Sequence, residues 1–446
     1  MIKPLPKNIF GRTCLLPTGI DFDLNSSTFF VYPHKIHLFG RDLEINSLLF
    51  QQQDPSVGAC ASVTLWSIIH SCSKIFDNVI TPNVSKITEM ASKLWATILK
   101  VDGIRGLDQY QMIHVLQSVG LSYDYYYVKN YNKDLFKTIL RAYSGLKIPV
   151  IIFLDLMTRK KNPNDPALGH VVSLSGITED PKKVTAFVDI TDIAYIGSRI
   201  QNVFINDDNG GPFLKCSIEM IEEENEAKKK ESRLILKIPR YVERPHVKNG
   251  YEDANINAIL VPIYNKIRLD FETIYKYSRI FNGFLNLLRF FKPFVEFIKE
   301  KYALSKIDFY LIWDIFLTTE SDFKKEILNL RCNLTDHVKM NLITSNYPKY
   351  LWRCSCFMKK KDIESYPMEF ADFLIDATDL VDSSFIFKII FWKEDLAQII
   401  LDFLTIDDPK ILNDLNRVFL NDSNKFSIFF NKISDFLRME TKKAEK

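Results

Sequence analysis

The sequence lacks the features that would assign it to several large classes of protein. It has no run close to the ~18 apolar residues of a membrane-spanning helix, and its start, MIKPLPKNIFGRTCLLPTG, lacks the apolar centre of a signal peptide. A net charge of +3 over 446 residues is too small to predict nucleic-acid binding. The sequence therefore predicts a globular, cytoplasmic protein without a membrane span or a nucleic-acid partner.

Cysteine and glycine are also scarce. The seven cysteines are odd in number and irregularly spaced, unlike the disulfide framework of a small secreted domain. Cys354 and Cys356 have neither the spacing nor the second pair of a zinc knuckle. Gly-rich phosphate loops, paired-histidine metal motifs and a serine nucleophile elbow are absent from the sequence. We therefore expect reduced thiols, no metal and no cofactor.

A chain of 446 residues is longer than one ordinary core, which predicts two domains. Residues 1–45 have the pattern of an extended segment. Residues 46–240 show helical patterns followed by alternating strands, the order of an α+β domain. Residues 241–446 predict a mixed α/β domain that is mainly helical, with KIDFYLIWDIFL among its helices. The oligomeric state is left open.

Four helices are predicted in the first domain. The spacing of apolar residues gives one from Ala59 to about Ser73, and a second, SKITEMASKLWATILK, with Ser85 as its N-cap. The third has Asp108 as its N-cap and ends at Gly120, and the fourth is KDLFKTILRAYSG. The strands expected after them include IPVIIFLDL, GHVVSLSGI, VTAFVDI and NVFINDDNGG.

Cys60 lies in DPSVGACASVTLWSIIH, where a turn-forming stretch meets the first helix. A thiol acts as a nucleophile in its thiolate form, which the N–H groups and dipole at a helix N-terminus stabilise. Such a cysteine also needs a histidine, a group that orients the histidine, and donors for the oxyanion. A cysteine at a helix start is more often a small buried apolar residue, so the other groups decide the interpretation.

Candidates for those groups occur later and earlier in the chain. His170 follows a glycine and opens an alternating strand, whereas His70 and His114 lie inside helical patterns. Asp207 and its neighbour Asp208 lie at the end of a later strand, in FINDDNGGPF, and Asp189 lies on the strand VTAFVDI. The glutamines Gln51, Gln52 and Gln53 precede the turn before the cysteine.

These stretches resemble the Gln…Cys…His…Asp order of papain-like cysteine peptidases, in particular the bacterial branch related to bacteriocin-processing peptidases that act on double-glycine leaders. The resemblance spans roughly residues 45–215. Within this bacterial branch, the sequence resembles a subgroup that has a C-terminal extension. It implies a Cys-bearing helix packed on an antiparallel sheet. It also implies Cys60 as nucleophile, His170 as general base, Asp207 as orienting carboxylate and Gln53 as oxyanion donor.

Two departures from the family pattern leave alternatives open. Gln53 lies seven positions before Cys60, where papain-like enzymes usually show six, so the choice between Gln52 and Gln53 as the oxyanion donor stays open. The segment between His170 and Asp207 contains an additional strand, so Asp189 and Asp208 remain rivals for the orienting role.

The function that follows from this reading is a cysteine hydrolase. It would be a peptidase or amidase that cleaves a peptide or isopeptide bond in a peptide or protein substrate through a Cys60 thioester. The alternative is a papain-like scaffold that is catalytically inactive or transfers acyl groups and acts as an interaction protein. Residues 241–446 are hypothesised to select the substrate or partner.

Overall fold

The structure is a computed structural model of the chain. It describes residues 2–3, 11–12, 27–38, 40–52, 60–94, 106–157, 168–180, 193–224, 230–239, 251–301, 309–329, 334–360, 368–380, 386–406, 408–419 and 423–441.

The strands in these ranges are β1 (Ile2–Lys3), β2 (Gly11–Arg12), β3 (Ser27–Phe29), β4 (Tyr32–Leu38), β5 (Arg41–Ser47), β6 (Leu121–Tyr127), β7 (Ile151–Leu156), β8 (Leu168–Glu179), β9 (Ala194–Tyr195), β10 (Ile200–Asp207), β11 (Gly211–Glu224), β12 (Lys230–Pro239), β13 (Tyr251–Tyr264), β14 (Phe309–Thr319), β15 (Tyr350–Lys360), β16 (Met368–Asp376) and β17 (Lys388–Phe391). The helices are α1 (Cys60–Ile75), α2 (Val84–Lys93), α3 (Gln109–Ser118), α4 (Lys133–Ser144), α5 (Phe271–Leu287), α6 (Lys292–Lys301), α7 (Glu320–Asn329), α8 (Asp336–Thr344), α9 (Glu394–Leu404), α10 (Pro409–Val418) and α11 (Ser423–Thr441).

The chain divides into two compact units. The first consists of residues 1–183 and 199–265, and the second consists of residues 184–198 and 266–446. Strand β13 lies in the first unit, where it pairs with β6, β7 and β12. Each unit has its own sheet and its own buried apolar side chains.

Six antiparallel strands of the first unit close into a barrel. The pairing runs β7–β8–β10–β11–β12–β13 and returns from β13 to β7. The expected α+β class is therefore present, but the expected papain-like arrangement of a helix packed on a sheet is wrong. Alternating residues predict that a segment is a strand, whereas barrel closure depends on which distant strands pair.

The barrel strands share one apolar face. Residues directly opposite each other on paired strands lie on the same face of a sheet. The cross-strand pairs therefore place a continuous set of buried side chains together: Leu154, Leu156, Val172, Leu174, Ile205, Leu214, Ile218, Leu236, Ala254 and Ile256. Burial of this face stabilises the barrel.

The predicted helices of the first unit are present in the described residues, and the expected end of the second helix, residues 95–100, lies outside them. Asp108 caps α3 in a capping box with Gln111, and Gly120 after the helix has φ of +92°, as a terminating glycine should. The predicted cap of α2 is wrong, because Asn83 rather than Ser85 accepts the N-terminal N–H of Lys86. The predicted strand VTAFVDI lies outside the described residues.

The second unit contains a five-stranded sheet in the order β17–β16–β15–β14–β9 and helices α5 to α11. The segment KIDFYLIWDIFL was expected to be helical, but its described part lies in strand β14. Its apolar run suits a strand that is buried on both faces, and a run of this kind has no period that separates it from a buried helix. Among the described helices, none is long and apolar enough to span a membrane.

Candidate functional site

His170 lies on the apolar face of the barrel, at the beginning of β8. It sits opposite Leu154 of β7, and only 5% of its surface is exposed. A histidine in such a place loses its contacts with water and needs a protein partner for its ring nitrogens. That partner comes from the end of β10. β10 is the second strand after β8 in the sequence, but the two strands are paired neighbours in the barrel.

Asp207 supplies the partner. Its Oδ1 accepts a hydrogen bond of 3.0 Å from Nε2 of His170, and its side chain is completely buried. The register of β10 with β11 shifts between Ile205 and Asp207, and such an irregularity re-aims the side chains next to it. The backbone N–H of Asn209 donates a second hydrogen bond of 3.0 Å to Asp207 Oδ1 and fixes the carboxylate.

Helix α1 brings Cys60 to the same end of β8. Thr64 of α1 donates a hydrogen bond of 3.4 Å to the carbonyl oxygen of Val171, the residue after His170. Cys60 precedes Thr64 by four residues and therefore lies on the same face of the helix. Its thiol is free and partly exposed, and it forms a side-chain hydrogen bond with His170.

A single backbone carbonyl connects the helix to the strand that carries the aspartates. The Leu49 carbonyl oxygen accepts hydrogen bonds from the hydroxyl of Ser67 in α1 and from the amide of Asn206 in β10. The other end of the Asn206 amide accepts from the N–H of Phe213 at 3.0 Å. These buried bonds hold the cysteine helix and the Asp207 strand in a fixed relationship.

The surroundings of His170 favour its charged form. Burial alone lowers the pKa of the ring, but the charge and hydrogen bond of Asp207, the hydrogen bond of Cys60 and the charge of Asp208 all raise it. The net result is a pKa raised from 6.5 to about 10. At neutral pH the ring is therefore an imidazolium between a carboxylate and a thiol.

Asp208 is the second carboxylate at this site. Its Oδ1 lies 3.8 Å from His170 Nε2, and its Oδ2 is buried and has no hydrogen-bond partner in the part of the chain that the structure describes. Burial raises the pKa of Asp208, His170 opposes this, and Asp207 adds to it, so that the pKa rises from 3.8 to about 7. The three donor groups of His170, Asp207 and Asp208 lie within 4.8 Å of one another, which is compatible with metal ligation.

The structure thus brings together Cys60, His170, Asp207 and Asp208. Gln53 and Asp189 lie outside the described residues, and Gln52 is half-buried. Sequence reasoning missed Asn209, whose N–H fixes Asp207. The signal for it was the DDNGG stretch, because Asx side chains in turns commonly accept a backbone N–H two residues on.

Comparison with known proteins adds no assignment: no protein-family model matches the chain, and no curated protein matches it.

Proposed function

We propose that the protein is a cysteine hydrolase that cleaves a peptide or isopeptide bond. In this proposal Cys60 is the nucleophile, His170 carries the proton and Asp207 orients the histidine. The observation that supports it is the buried His170 ring, held by Asp207 at 3.0 Å and hydrogen-bonded to Cys60. The proposal concerns the chemistry of these side chains at one end of a closed barrel, and it does not depend on a papain-like fold.

The ring nitrogens of His170 have separate tasks in this mechanism. Nε2 is engaged by Asp207, which leaves Nδ1 to exchange a proton with the sulfur. The Cys60 sulfur attacks the carbonyl carbon of the substrate, the C–N bond breaks, and His170 gives its proton to the departing amine. Water then attacks the thioester carbon while His170 takes a proton from that water, the C–S bond breaks with the Cys60 sulfur as leaving group, and the carboxylic acid is released.

The simpler interpretation, an inert cysteine at a helix end, is less consistent with the surroundings of Cys60. The other described cysteines (Cys72, Cys216, Cys354 and Cys356) are all buried. Burial raises the pKa of Cys72, Cys354 and Cys356, as it does for an inert thiol in a core. Cys60 differs because it is partly exposed and shares a hydrogen bond with a charged histidine.

We further propose a peptide or protein substrate and a cytoplasmic location. A substrate amide must reach a sulfur at the edge of a barrel, and an extended peptide segment is a shape that can do so. The free state of all five described cysteines fits a reducing compartment.

The reactivity of Cys60 tests the proposal without knowledge of the substrate. Iodoacetamide is added to the native full-length chain at pH 6 to 7, and the modified cysteines are identified by peptide mass spectrometry. We expect fast modification of Cys60 and slow modification of the four buried cysteines. Substitution His170→Ala should slow the modification of Cys60, because the imidazolium that stabilises the thiolate is lost.

Cys72 offers a matched control, since it lies in the same helix but is buried. The substitution Cys72→Ser should leave the rate at Cys60 as it is. Equal rates of Cys60 modification in the wild type and the His170→Ala variant would contradict the proposal and favour the interaction-protein alternative.

Hydrolysis itself is tested with a mixed library of peptides and a mass-spectrometric search for new termini. We expect new termini with the wild type and none with Cys60→Ser. The exchange of sulfur for oxygen nearly conserves volume, so stability should change by less than about 1.5 kcal/mol. Full cleavage by a folded Cys60→Ser variant would place the nucleophile elsewhere. If Cys60→Ser is inactive, as expected, capture of proteins by a Cys60→Ala variant identifies the substrate.

A further inference from the structure

The carboxylate of Asp208 has no role in the mechanism proposed above, although it is buried beside the histidine. Only 4% of its surface is exposed, and among the described residues its Oδ2 has no hydrogen-bond partner. Leaving a buried carboxylate oxygen unpaired costs free energy, so such an atom calls for an explanation. An unmodified thiol–histidine–aspartate arrangement needs one orienting carboxylate, and Asp207 already provides it.

We propose that His170, Asp207 and Asp208 form a binding site for one divalent zinc ion. The three side chains are at least 95% buried and offer one nitrogen and two carboxylate donors within 4.8 Å of one another. Imidazole and carboxylate groups are common zinc ligands in proteins. The sequence alone gave no reason to expect this site, because its ligands lie on no recognisable metal motif.

The spacing of the donor atoms suits tetrahedral zinc. Two zinc–ligand bonds of about 2.0 to 2.1 Å at the tetrahedral angle place their donor atoms about 3.3 Å apart. The distances from His170 Nε2 to Oδ1 of Asp207 and of Asp208 are 3.0 Å and 3.8 Å, which bracket that value. These two distances are therefore compatible with tetrahedral ligation.

Charge also favours a divalent cation. Two adjacent buried carboxylates repel each other. When the histidine ligand is neutral, the 2+ charge of one ion neutralises the two negative charges of the carboxylates. The N–H of Asn209 and its side-chain amide contact the Asp207 and Asp208 oxygens at 3.0 Å and 3.3 Å. Such outer contacts orient metal-binding carboxylates and strengthen ion binding. Water or a substrate group would supply the fourth ligand, as in zinc sites with three protein ligands.

Zinc and catalysis would exclude each other at this site. Zinc binds the unprotonated imidazole, so it displaces the proton that Nε2 shares with Asp207. The histidine could then no longer pair with a Cys60 thiolate, and zinc would inhibit the enzyme reversibly. This inhibitory consequence rests on the proposed function, whereas zinc binding itself does not.

The test uses the full chain, freed of metal with a chelator, and zinc alone in equilibrium dialysis. We expect one zinc ion per chain and at least about 100-fold weaker binding in Asp208→Asn, more than the loss of an outer partner usually costs. A Cys60→Ala variant should bind zinc as tightly as the wild type, because the proposed site takes its protein ligands from His170, Asp207 and Asp208 alone. Absence of stoichiometric binding, unaltered affinity in folded Asp208→Asn, or loss of binding in Cys60→Ala would overturn the proposal.

Cobalt(II) keeps the proposal testable if Asp208→Asn does not fold. In the wild type, cobalt in this site should give the visible absorption of tetrahedral nitrogen and oxygen ligation. Strong near-ultraviolet bands of thiolate-to-cobalt charge transfer would overturn the assignment. The two proposals fail separately: slow iodoacetamide modification of Cys60 without zinc contradicts the hydrolase, and it leaves the measured zinc binding intact.

Discussion

His170 of β8 and Asp207 of β10 form a fully enclosed charged pair, with Nε2 of the ring 3.0 Å from Oδ1 of the carboxylate. The neighbouring carboxylate of Asp208 approaches the same nitrogen only to 3.8 Å. The first distance is that of a charge-assisted hydrogen bond, and the second exceeds hydrogen-bond length. This difference favours Asp207 over Asp208 for the proposed orienting role and makes the two carboxylates experimentally separable.

The first prediction compares Asp207→Asn with Asp208→Asn. Loss of Asp207 removes both a negative charge and a hydrogen bond from His170, so the group that favours the charged ring and holds it in place is lost. We expect iodoacetamide modification of Cys60 at pH 7 to slow by at least about tenfold in Asp207→Asn, and by less than about tenfold in Asp208→Asn. A larger effect at Asp208 than at Asp207 would reverse the assignment.

The second prediction concerns the stability of the fold as a function of pH. The pKa of His170 is raised from 6.5 to about 10, so its contribution is complete below pH 6.5 and is lost as pH rises through 10. The pKa of Asp208 is raised from 3.8 to about 7 mainly by burial, so the fold also loses stability as pH rises between those values.

Urea denaturation of the wild type and His170→Gln between pH 5 and 10 isolates the histidine. We expect the free energy of unfolding to be higher in the wild type at pH 6, with the difference shrinking toward pH 10. Subtracting the unfolding free energy of the variant from that of the wild type cancels groups with the opposite pH dependence, because both proteins contain them. One such group is Lys388, because burial lowers its pKa to about 8. A difference that grows with pH would show that the ring is neutral in the folded protein.

The third prediction uses two glycines of β8. A Cβ at Gly176 would lie 2.8 Å from the carbonyl oxygen of Thr28 and 2.9 Å from the ring of Phe29, where β3 pairs with β8. A Cβ at Gly169 would meet no atom within 4 Å.

We therefore expect Gly176→Ala to destabilise the first unit by about 1 to 3 kcal/mol, since the backbone of β3 must move. Gly169→Ala should be neutral or slightly stabilising, by up to about 1 kcal/mol. Thermal or urea unfolding measures both. Equal stability of the two variants would mean that β3 does not approach β8 this closely.

The fourth prediction concerns Arg353 in the second unit. Its guanidinium donates to Asp372 through Nε and Nη2 at 3.0 Å and 2.7 Å, and to Glu326 through Nη1 at 2.6 Å. Arg353 and Asp372 are buried, so removing the cation leaves an uncompensated charge. We expect Arg353→Met to destabilise the protein by about 3 to 5 kcal/mol in urea denaturation.

The exposed pair Lys86–Glu89 is the control for Arg353. Both side chains are half exposed, at 50% and 53%, and Lys86→Met should change stability by less than about 1 kcal/mol. The double variant Arg353→Met, Asp372→Leu should recover much of the loss, because both buried charges are then removed. A harmless Arg353→Met substitution would show that water reaches Asp372.

The sequence by itself determined the features that depend on neighbouring residues. The capping box of Asp108 and Gln111 and the positive φ of Gly120 fix both ends of α3 through contacts within a few residues. The position of Cys60 at the start of α1 and of His170 near the start of β8 follows from the same local signals. Even here a competing Asn two residues earlier displaced the expected cap of α2.

Only the tertiary structure decided which distant segments meet. The sequence of β14 is equally compatible with a buried helix, because a continuous apolar run has no period that distinguishes a strand from a helix. The strands close into a barrel because β10 pairs with both β8 and β11, and no sequence pattern specifies that choice. The same pairing brings Asp207, at the end of β10, within hydrogen-bond distance of His170, next to an irregularity in register of the kind that re-aims neighbouring side chains. Asp208 follows the end of the strand, and its Oδ1 stays 3.8 Å from the same nitrogen.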